Sequence, residues 1–162
     1  MKPREFFPNM PDEVFDNWLA PIINDHGWPF TSINDDLFSS DWIFKIGNKF
    51  SLKQWFECEW ELTDIPLDNA NFKHYTLKII SEIIVNAVNG IPTETTDLIG
   101  GDERFRACAS FYREYGKIPW PIVIYKFSNF VRVLDGFHRL AAIFHVGYPH
   151  DFKVPAWEAK FK

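Results

Sequence analysis

The sequence is poor in cysteine and has no long hydrophobic run. Only two of its 162 residues are cysteines, Cys58 and Cys108, and neither has a histidine at ligand spacing. They support neither a disulfide framework nor a zinc site, so we expect two reduced, buried thiols. Apolar runs such as 121–125 fall far short of the roughly 20 residues that a membrane helix requires. Residues 1–7 lack the apolar region of a signal peptide, so we expect a soluble, cytoplasmic protein without membrane contact.

Basic charge is also scarce. The 17 lysines and arginines face 22 aspartates and glutamates, which gives a net charge of −5. Proteins that bind the phosphate backbone without sequence preference usually carry a basic excess, so this charge disfavours nucleic acid as a partner. Aromatic residues are abundant, with 17 Phe, 7 Trp and 5 Tyr. We expect them to fill the core, and some to line a cleft or a partner surface.

The first half of the chain predicts a helix, a loop and a strand. Residues 11–25 carry apolar side chains at helical spacing, and Pro21 could kink that helix. Residues 27–41 predict a surface loop or lid anchored by three aromatic side chains: Trp28, Phe30 and Trp42. Gly47-Asn48 predicts a tight turn. The alternation from residue 56 to residue 63 predicts a half-buried strand with an acidic outer face, which would carry Glu57, Glu59 and Glu61.

The second half predicts three helices and three strands. The helices are expected at 75–88, 102–115 and 137–146, with glycine just beyond each end, and a loop is expected at 91–101. Asp102 is the expected N-cap of the second helix. The strands are expected at 121–125, 130–134 and 154–161, the first two joined as a hairpin through Ser128-Asn129. The expected fold class is therefore α/β (α+β), with a small mixed sheet and packed helices.

The segment from Asp135 to Arg139 carries the clearest chemistry. A strand ends in a glycine turn and a helix begins, so free backbone N–H groups and the helix dipole would favour an anion there. Gly136 would let a ligand approach the backbone closely. Arg139 offers a planar fork to phosphate oxygens, and His138 can donate a hydrogen bond or transfer a proton. The residues therefore predict a phosphate site, although Asp135 could simply cap the helix.

The sequence DGFHRLAA at 135–142, with the preceding strand pair and the later Val154-Pro155, resembles the ParB/sulfiredoxin-like superfamily. The similar stretch runs from about residue 60 to 161. The resemblance implies a nucleotide-binding domain in which Gly136, Phe137, His138 and Arg139 form the phosphate turn. It also implies that the cofactor is ATP or another nucleotide, with Mg²⁺ as a candidate companion.

Phe137 departs from the patterns of two branches of that superfamily. Sulfiredoxins hold the catalytic cysteine at the matching position, and ParB clamps hold a glutamate. Phenylalanine can perform neither task, so sulfiredoxin chemistry is excluded at this turn. No helix-turn-helix region follows the domain before Lys162, so a sequence-reading DNA clamp is not expected.

A phosphotransferase would need a carboxylate to accept the proton of the acceptor hydroxyl, and usually a metal ion. The candidate carboxylates are Asp135, Glu59 and Glu103. Related small-molecule kinases place a catalytic glutamate on an early strand, which points to Glu59, although the acidic face of that strand could simply be solvated. Arg104 could add positive charge beside the turn. We therefore name Asp135, His138 and Glu59 as candidate catalytic residues, and Arg104 as a further phosphate contact.

Three functions follow from these observations. The first is an ATP-dependent phosphotransferase or nucleotide hydrolase acting on an unknown small molecule or protein acceptor. The second is a non-catalytic protein-interaction module with a silent or regulatory nucleotide pocket. The third, which the net charge disfavours, is a ParB-like nuclease acting on DNA. In each case residues 1–55 form a helical, aromatic-rich N-terminal extension, and residues 56–162 form the nucleotide-binding domain.

Overall fold

A computed structural model describes residues 1–46, 49–90 and 101–162 and shows a mixed α/β fold. The turn predicted at Gly47-Asn48 and residues 91–100 of the loop predicted at 91–101 lie outside the described residues. The α-helices are α1 (Asp12–Val14), α2 (Ala20–His26), α3 (Trp42–Lys45), α4 (Leu52–Glu57), α5 (His74–Asn89), α6 (Gly101–Tyr115) and α7 (Phe137–Val146). The strands are β1 (Glu59–Pro66), β2 (Ile122–Phe127), β3 (Phe130–Asp135) and β4 (Lys153–Lys160).

The four strands form one sheet in the order β1-β4-β2-β3. β2 and β3 pair antiparallel, with Phe127 opposite Phe130, which confirms the predicted hairpin. Ser128 takes a left-handed φ of 54° in the turn between them. Residues 122–125 are buried on both faces, so the apolar run from Pro121 is confirmed as a buried strand. The hairpin leads directly to the turn at Asp135.

The chain packs as two compact units. One comprises Met1–Glu61 with Trp157–Lys162, and the other comprises Leu62–Ala156. The domain boundary predicted between residues 55 and 56 stays a prediction. None of the described helices is long and apolar enough to cross a membrane.

The first unit contains the predicted N-terminal helix, interrupted by a π-helical segment. Residues 12–26 are helical throughout, but Phe15–Leu19 is π-helical and the Ala20 N–H donates to the Phe15 carbonyl. Pro21 follows at once and has no N–H to continue the ladder, which accounts for the irregularity near the predicted kink. The aromatic anchors of the loop are confirmed, because Trp28 packs edge-on against Phe30 and Trp42, with each pair of ring centroids 4.9 Å apart.

The strand predicted from residue 56 is wrong in its first part. Residues 52–57 form α4, and the Ser51 side chain and Gln54 complete a capping box at its start. Two orphan donors are satisfied reciprocally there, which stabilises a helix over an extended chain. Phe56 and Glu57 are therefore helical, and β1 begins only at Glu59.

The second unit contains the main apolar core. Helices α5 and α7 pack together, and α6 packs against both. α5 ends at Gly90 in the left-handed conformation, as predicted. Val88, the last residue of the predicted helix, is 63% exposed. α6 confirms the helix predicted over 102–115, and its Phe105, Ala109 and Tyr112 are buried. It already includes Gly101, so Asp102 lies within the helix and is not the residue before it.

Candidate functional site

The turn between β3 and α7 is built around Gly136. Its φ of 107° is accessible mainly to glycine, and a Cβ at this position would lie 2.6 Å from Cγ2 of Ile122. The side chain of Ile122 on β2 therefore packs against the main chain of the turn. This contact holds the first residues of α7 beside the beginning of β2.

The N-terminal end of α7 presents several main-chain donors. The Leu140 N–H donates to the Gly136 carbonyl at 3.0 Å. The N–H groups of Phe137, His138 and Arg139 come before this first bond and so precede the helical ladder. The helix has ten residues, and its dipole places partial positive charge at the same end. The predicted helix start and glycine turn are both confirmed.

Arg139 is buried and bonded inside the protein. Its Nη2 lies 2.6 Å from Oδ2 of Asp135, and its Nη1 donates to the carbonyls of Pro121 at 2.9 Å and Trp120 at 3.3 Å. The guanidinium also lies over the Trp120 ring, 5.4 Å from its centroid. These contacts fasten α7 to the end of β3 and to the residues before β2. The predicted phosphate role of Arg139 stays a prediction, and a ligand would have to share the guanidinium with these acceptors.

His138 carries an unsatisfied polar atom. Its Nε2 is buried and has no hydrogen-bond partner among the described residues. Burial, together with the charges of Arg104 and Arg139, lowers the pKa of His138 from 6.5 to about 4. The ring is therefore neutral at pH 7. A buried nitrogen without a partner is costly, so the site would gain from a ligand that pairs with it.

Arg104 and Cys108 lie on α6 beside the turn. Arg104 is exposed, and its charge acts on both His138 and Cys108. Burial raises the pKa of the Cys108 thiol, although the charges of Arg139 and Arg104 oppose the rise. Cys108 is only partly buried, contrary to the expectation of a buried thiol, whereas Cys58 is fully buried. Neither thiol is activated, because a reactive cysteine requires a lowered pKa.

Glu59 belongs to the first unit, where it has a cationic partner. Its carboxylate lies 2.7 Å from the Lys162 ammonium, and this hydrogen bond lowers the pKa of Glu59. Glu61, two residues further along β1, pairs with Lys160. Both glutamates are exposed, so the acidic outer face is confirmed for Glu59 and Glu61, whereas Glu57 lies on α4 and not on this strand. The catalytic role predicted for Glu59 stays a prediction.

One cluster of potential metal ligands escaped sequence reasoning. Asp68, His150 and Asp151 bring one ligand atom each within 4.8 Å of one another, although all three are exposed. Oδ2 of Asp68 already accepts from Nδ1 of His150 at 2.7 Å and from the Asp151 N–H at 3.0 Å. Mg²⁺ prefers an octahedral shell of oxygen atoms, so this donor set does not suit it. Asp68 lies 82 positions before His150 and 83 before Asp151, so no local signal in the sequence brings it to them.

The described residues therefore bring Asp135, Gly136, Phe137, His138 and Arg139 into one turn, with the charge of Arg104 beside it. Phe137 is partly buried and packs against the apolar core. The ParB/sulfiredoxin-like assignment rests on the motif in the sequence and stays a prediction. No protein-family model matches the chain, and comparisons with curated proteins and with solved structures return no significant match.

Proposed function

We propose that the protein binds a nucleotide through its phosphate groups at the turn formed by residues 135–139. The observation that carries this function is the buried, unpaired Nε2 of His138 at the N-terminal end of α7. A phosphate oxygen would supply the missing hydrogen-bond partner. It would also accept from the main-chain N–H groups that precede the helical ladder.

The charges around the turn favour an anion. The end of the helix contributes partial positive charge of roughly half an elementary charge. Arg104 adds a full positive charge from α6, whereas the charge of Arg139 is offset by its pairing with Asp135. Arg104 is therefore the cation whose charge is best placed to interact with a phosphate. A bound anion would also raise the pKa of His138, because it would counter the field of the arginines.

Trp120 supports a nucleotide over a bare phosphate. Its indole is 41% exposed and has the Arg139 guanidinium over its ring. Nucleobases stack on exposed aromatic faces, and each stacked base contributes about 1–3 kcal/mol. A ligand that joins a phosphate group to an aromatic base would therefore use both the end of α7 and this ring.

We further propose that the bound nucleotide serves phosphoryl transfer or hydrolysis, with Asp135 as the carboxylate. Mg²⁺ carried by the nucleotide would supply neutralising charge to the phosphate groups. A group with a pKa of about 4 is a weak base at pH 7, so His138 would act in binding rather than as the general base. Asp135 is partly exposed and uses Oδ2 to hold Arg139. Its second oxygen is the one that would accept a proton from the acceptor.

Calorimetric titration of ATP, ADP and CTP, each with and without Mg²⁺, tests the ligand. Arg104→Ala and His138→Ala should each weaken binding by about tenfold or more, the loss expected for one charge-assisted hydrogen bond. Arg113→Ala removes an exposed arginine from the far end of the same helix and should leave affinity unchanged. Inorganic pyrophosphate separates the phosphate contacts from the base. Failure of every nucleotide to bind the wild-type protein would refute the function.

The interaction-module alternative has one observation of its own. In the first unit, Phe44 on the short helix α3 is 76% exposed, and Phe38 in the preceding loop is also exposed. Exposed aromatic side chains are typical anchors of protein interfaces. A wild-type protein that binds no nucleotide but loses a co-purifying partner in Phe44→Ser would favour this function.

A further inference from the structure

The outward face of α5 carries an apolar stripe. Leu77 is 44% exposed, Val85 49% and Val88 63%, and the small side chain of Ser81 lies between the first two. Residues 77, 81, 85 and 88 are three or four apart, so they share one face of the helix. The buried Ile80 and Ile83 lie on the neighbouring face of the helix and pack into the core. The apolar surface of α5 therefore extends beyond the part that the core covers, whereas a surface helix of a monomer usually has one core-facing apolar stripe.

An open groove runs beside the stripe. It has a volume of about 240 Å³ and is lined almost entirely by apolar side chains from α5 and α7: Leu77, Ile80, Ser81, Ile84, Val85 and Phe144. Leu77 and Val85 lie about 6 Å on either side of Ser81 along the helix axis. A ridge of aliphatic side chains with the same spacing would fill such a groove, and α5 itself carries that ridge.

Two opposite charges flank the stripe. Lys78 and Glu82 are both exposed and lie one turn apart on the same side of the helix, with 3.9 Å between Nζ and Oε1. When two copies of a helix pack antiparallel about a two-fold axis, each flank faces the same flank of the other copy. With Ser81 against Ser81, Lys78 of each copy lies within about 3 Å along the axis of Glu82 of the other, and the two Glu82 side chains lie equally close to each other. Two Lys78–Glu82 contacts are set against one Glu82–Glu82 contact, so the rim charges favour this orientation on balance.

We propose that α5 forms the interface of a two-fold homodimer in which the helices of the two copies pack antiparallel across Ser81. The occupant of the groove is the Leu77 and Val85 ridge of the second copy, and the Lys78 and Glu82 pairs at the rim set the orientation. Serine at the centre allows the two helices to approach closely. The interface is independent of the turn at residues 135–139 and of any nucleotide.

Sedimentation equilibrium of the full chain tests the dimer. The wild-type protein should associate to a dimer as its concentration rises. Val85→Glu places a carboxylate from each copy in the interface and should weaken association by about 100-fold or more. Ser110→Glu introduces the same charge at an exposed position of α6 and should leave association unchanged. Circular dichroism checks that each variant is folded. A wild-type monomer at every accessible concentration, or a dimer that persists in Val85→Glu, would overturn the assignment.

A charge-swap series tests the antiparallel orientation. Lys78→Glu places a second carboxylate opposite Glu82 of the other copy, at both symmetry-related positions of the interface. It should weaken association by about tenfold. Glu82→Lys should do the same. The double variant, Lys78→Glu with Glu82→Lys, restores complementarity across the two-fold axis and should recover wild-type association. Lys53→Glu, on α4, is the matched control for the added charge. Additive losses in the double variant would rule out this pairing.

Discussion

Replacing Gly136 by alanine tests the geometry on which the phosphate turn depends. The residue has φ 107° and ψ 17°, a conformation that a side chain with a Cβ strains to adopt. The new methyl group would also lie 2.6 Å from Cγ2 and 2.9 Å from Cβ of Ile122. Ile122 is fully buried in the core and cannot swing away. Either the turn or β2 must therefore shift.

Two contributions set the expected loss of stability. A non-glycine residue in this region costs about 1–3 kcal/mol. Overpacking a filled core costs about 1–3 kcal/mol more. Alanine also restricts the unfolded chain, which returns about 0.4–1 kcal/mol. We therefore expect Gly136→Ala to lower the free energy of unfolding by about 1–6 kcal/mol, a sizeable part of the stability of a small domain.

Urea unfolding, followed by circular dichroism, measures this loss through a lower midpoint at an unchanged slope. Gly90→Ala is the matched control, because Gly90 also has a positive φ, 65°, but a Cβ there would meet nothing within 4 Å. Gly90→Ala should lower the free energy of unfolding only by the conformational cost of a positive φ, about 1 kcal/mol. Equal losses in the two variants would show that the contact with Ile122 is unimportant and that the turn is not pressed against β2.

Three further predictions concern other contacts. The pKa of His138 is about 4 in the folded chain and 6.5 in the unfolded chain, so the unfolded state binds a proton first as the pH falls. Up to about 3 kcal/mol of stability should therefore be lost between pH 6.5 and pH 4. His138→Gln should lack this pH dependence of stability in urea unfolding. Arg139→Met leaves Asp135 and two carbonyls without their donor and should cost about 3–5 kcal/mol by the same assay, whereas a loss below about 1 kcal/mol would contradict the clamp. Ser51→Ala removes the cap of α4 and should lower the free energy of unfolding by about 1 kcal/mol.

Local signals predicted most elements of the second unit. The apolar spacing and Gly90 predicted α5, and Ser128-Asn129 between two apolar runs predicted the hairpin. The failure at residues 52–57 has a local cause as well. Alternating apolar residues around Phe56 favoured a strand, whereas the capping pair formed by Ser51 and Gln54, five and two residues earlier, specifies the helix. Alternation is ambiguous over a short stretch, and the cap decides between the two structures.

The candidate site was predictable only in part. The sequence places a glycine turn before a helix, and this order alone predicts free N–H groups at residues 137–139. The pairing of Asp135 with Arg139 has a local signal too, because the residues are four apart. The carbonyls of Trp120 and Pro121 lie 19 and 18 positions from Arg139, and only the pairing of β2 with β3 brings them to the guanidinium. The charge of Arg104 likewise reaches His138 because α6 packs against α7, which the sequence does not specify locally.

The burial of Arg139 determines which variants can test the ligand. A guanidinium removed from water must keep its partners, so its loss destabilises the turn whether or not a nucleotide binds there. Reduced binding in Arg139→Ala would therefore report the loss of the clamp as readily as the loss of a phosphate contact. Arg104 is exposed, and the clamp does not depend on it. Arg104→Ala should leave the free energy of unfolding within about 0.5 kcal/mol of wild type, as surface substitutions usually do. A drop in nucleotide affinity in that variant can then be attributed to the loss of the Arg104 charge.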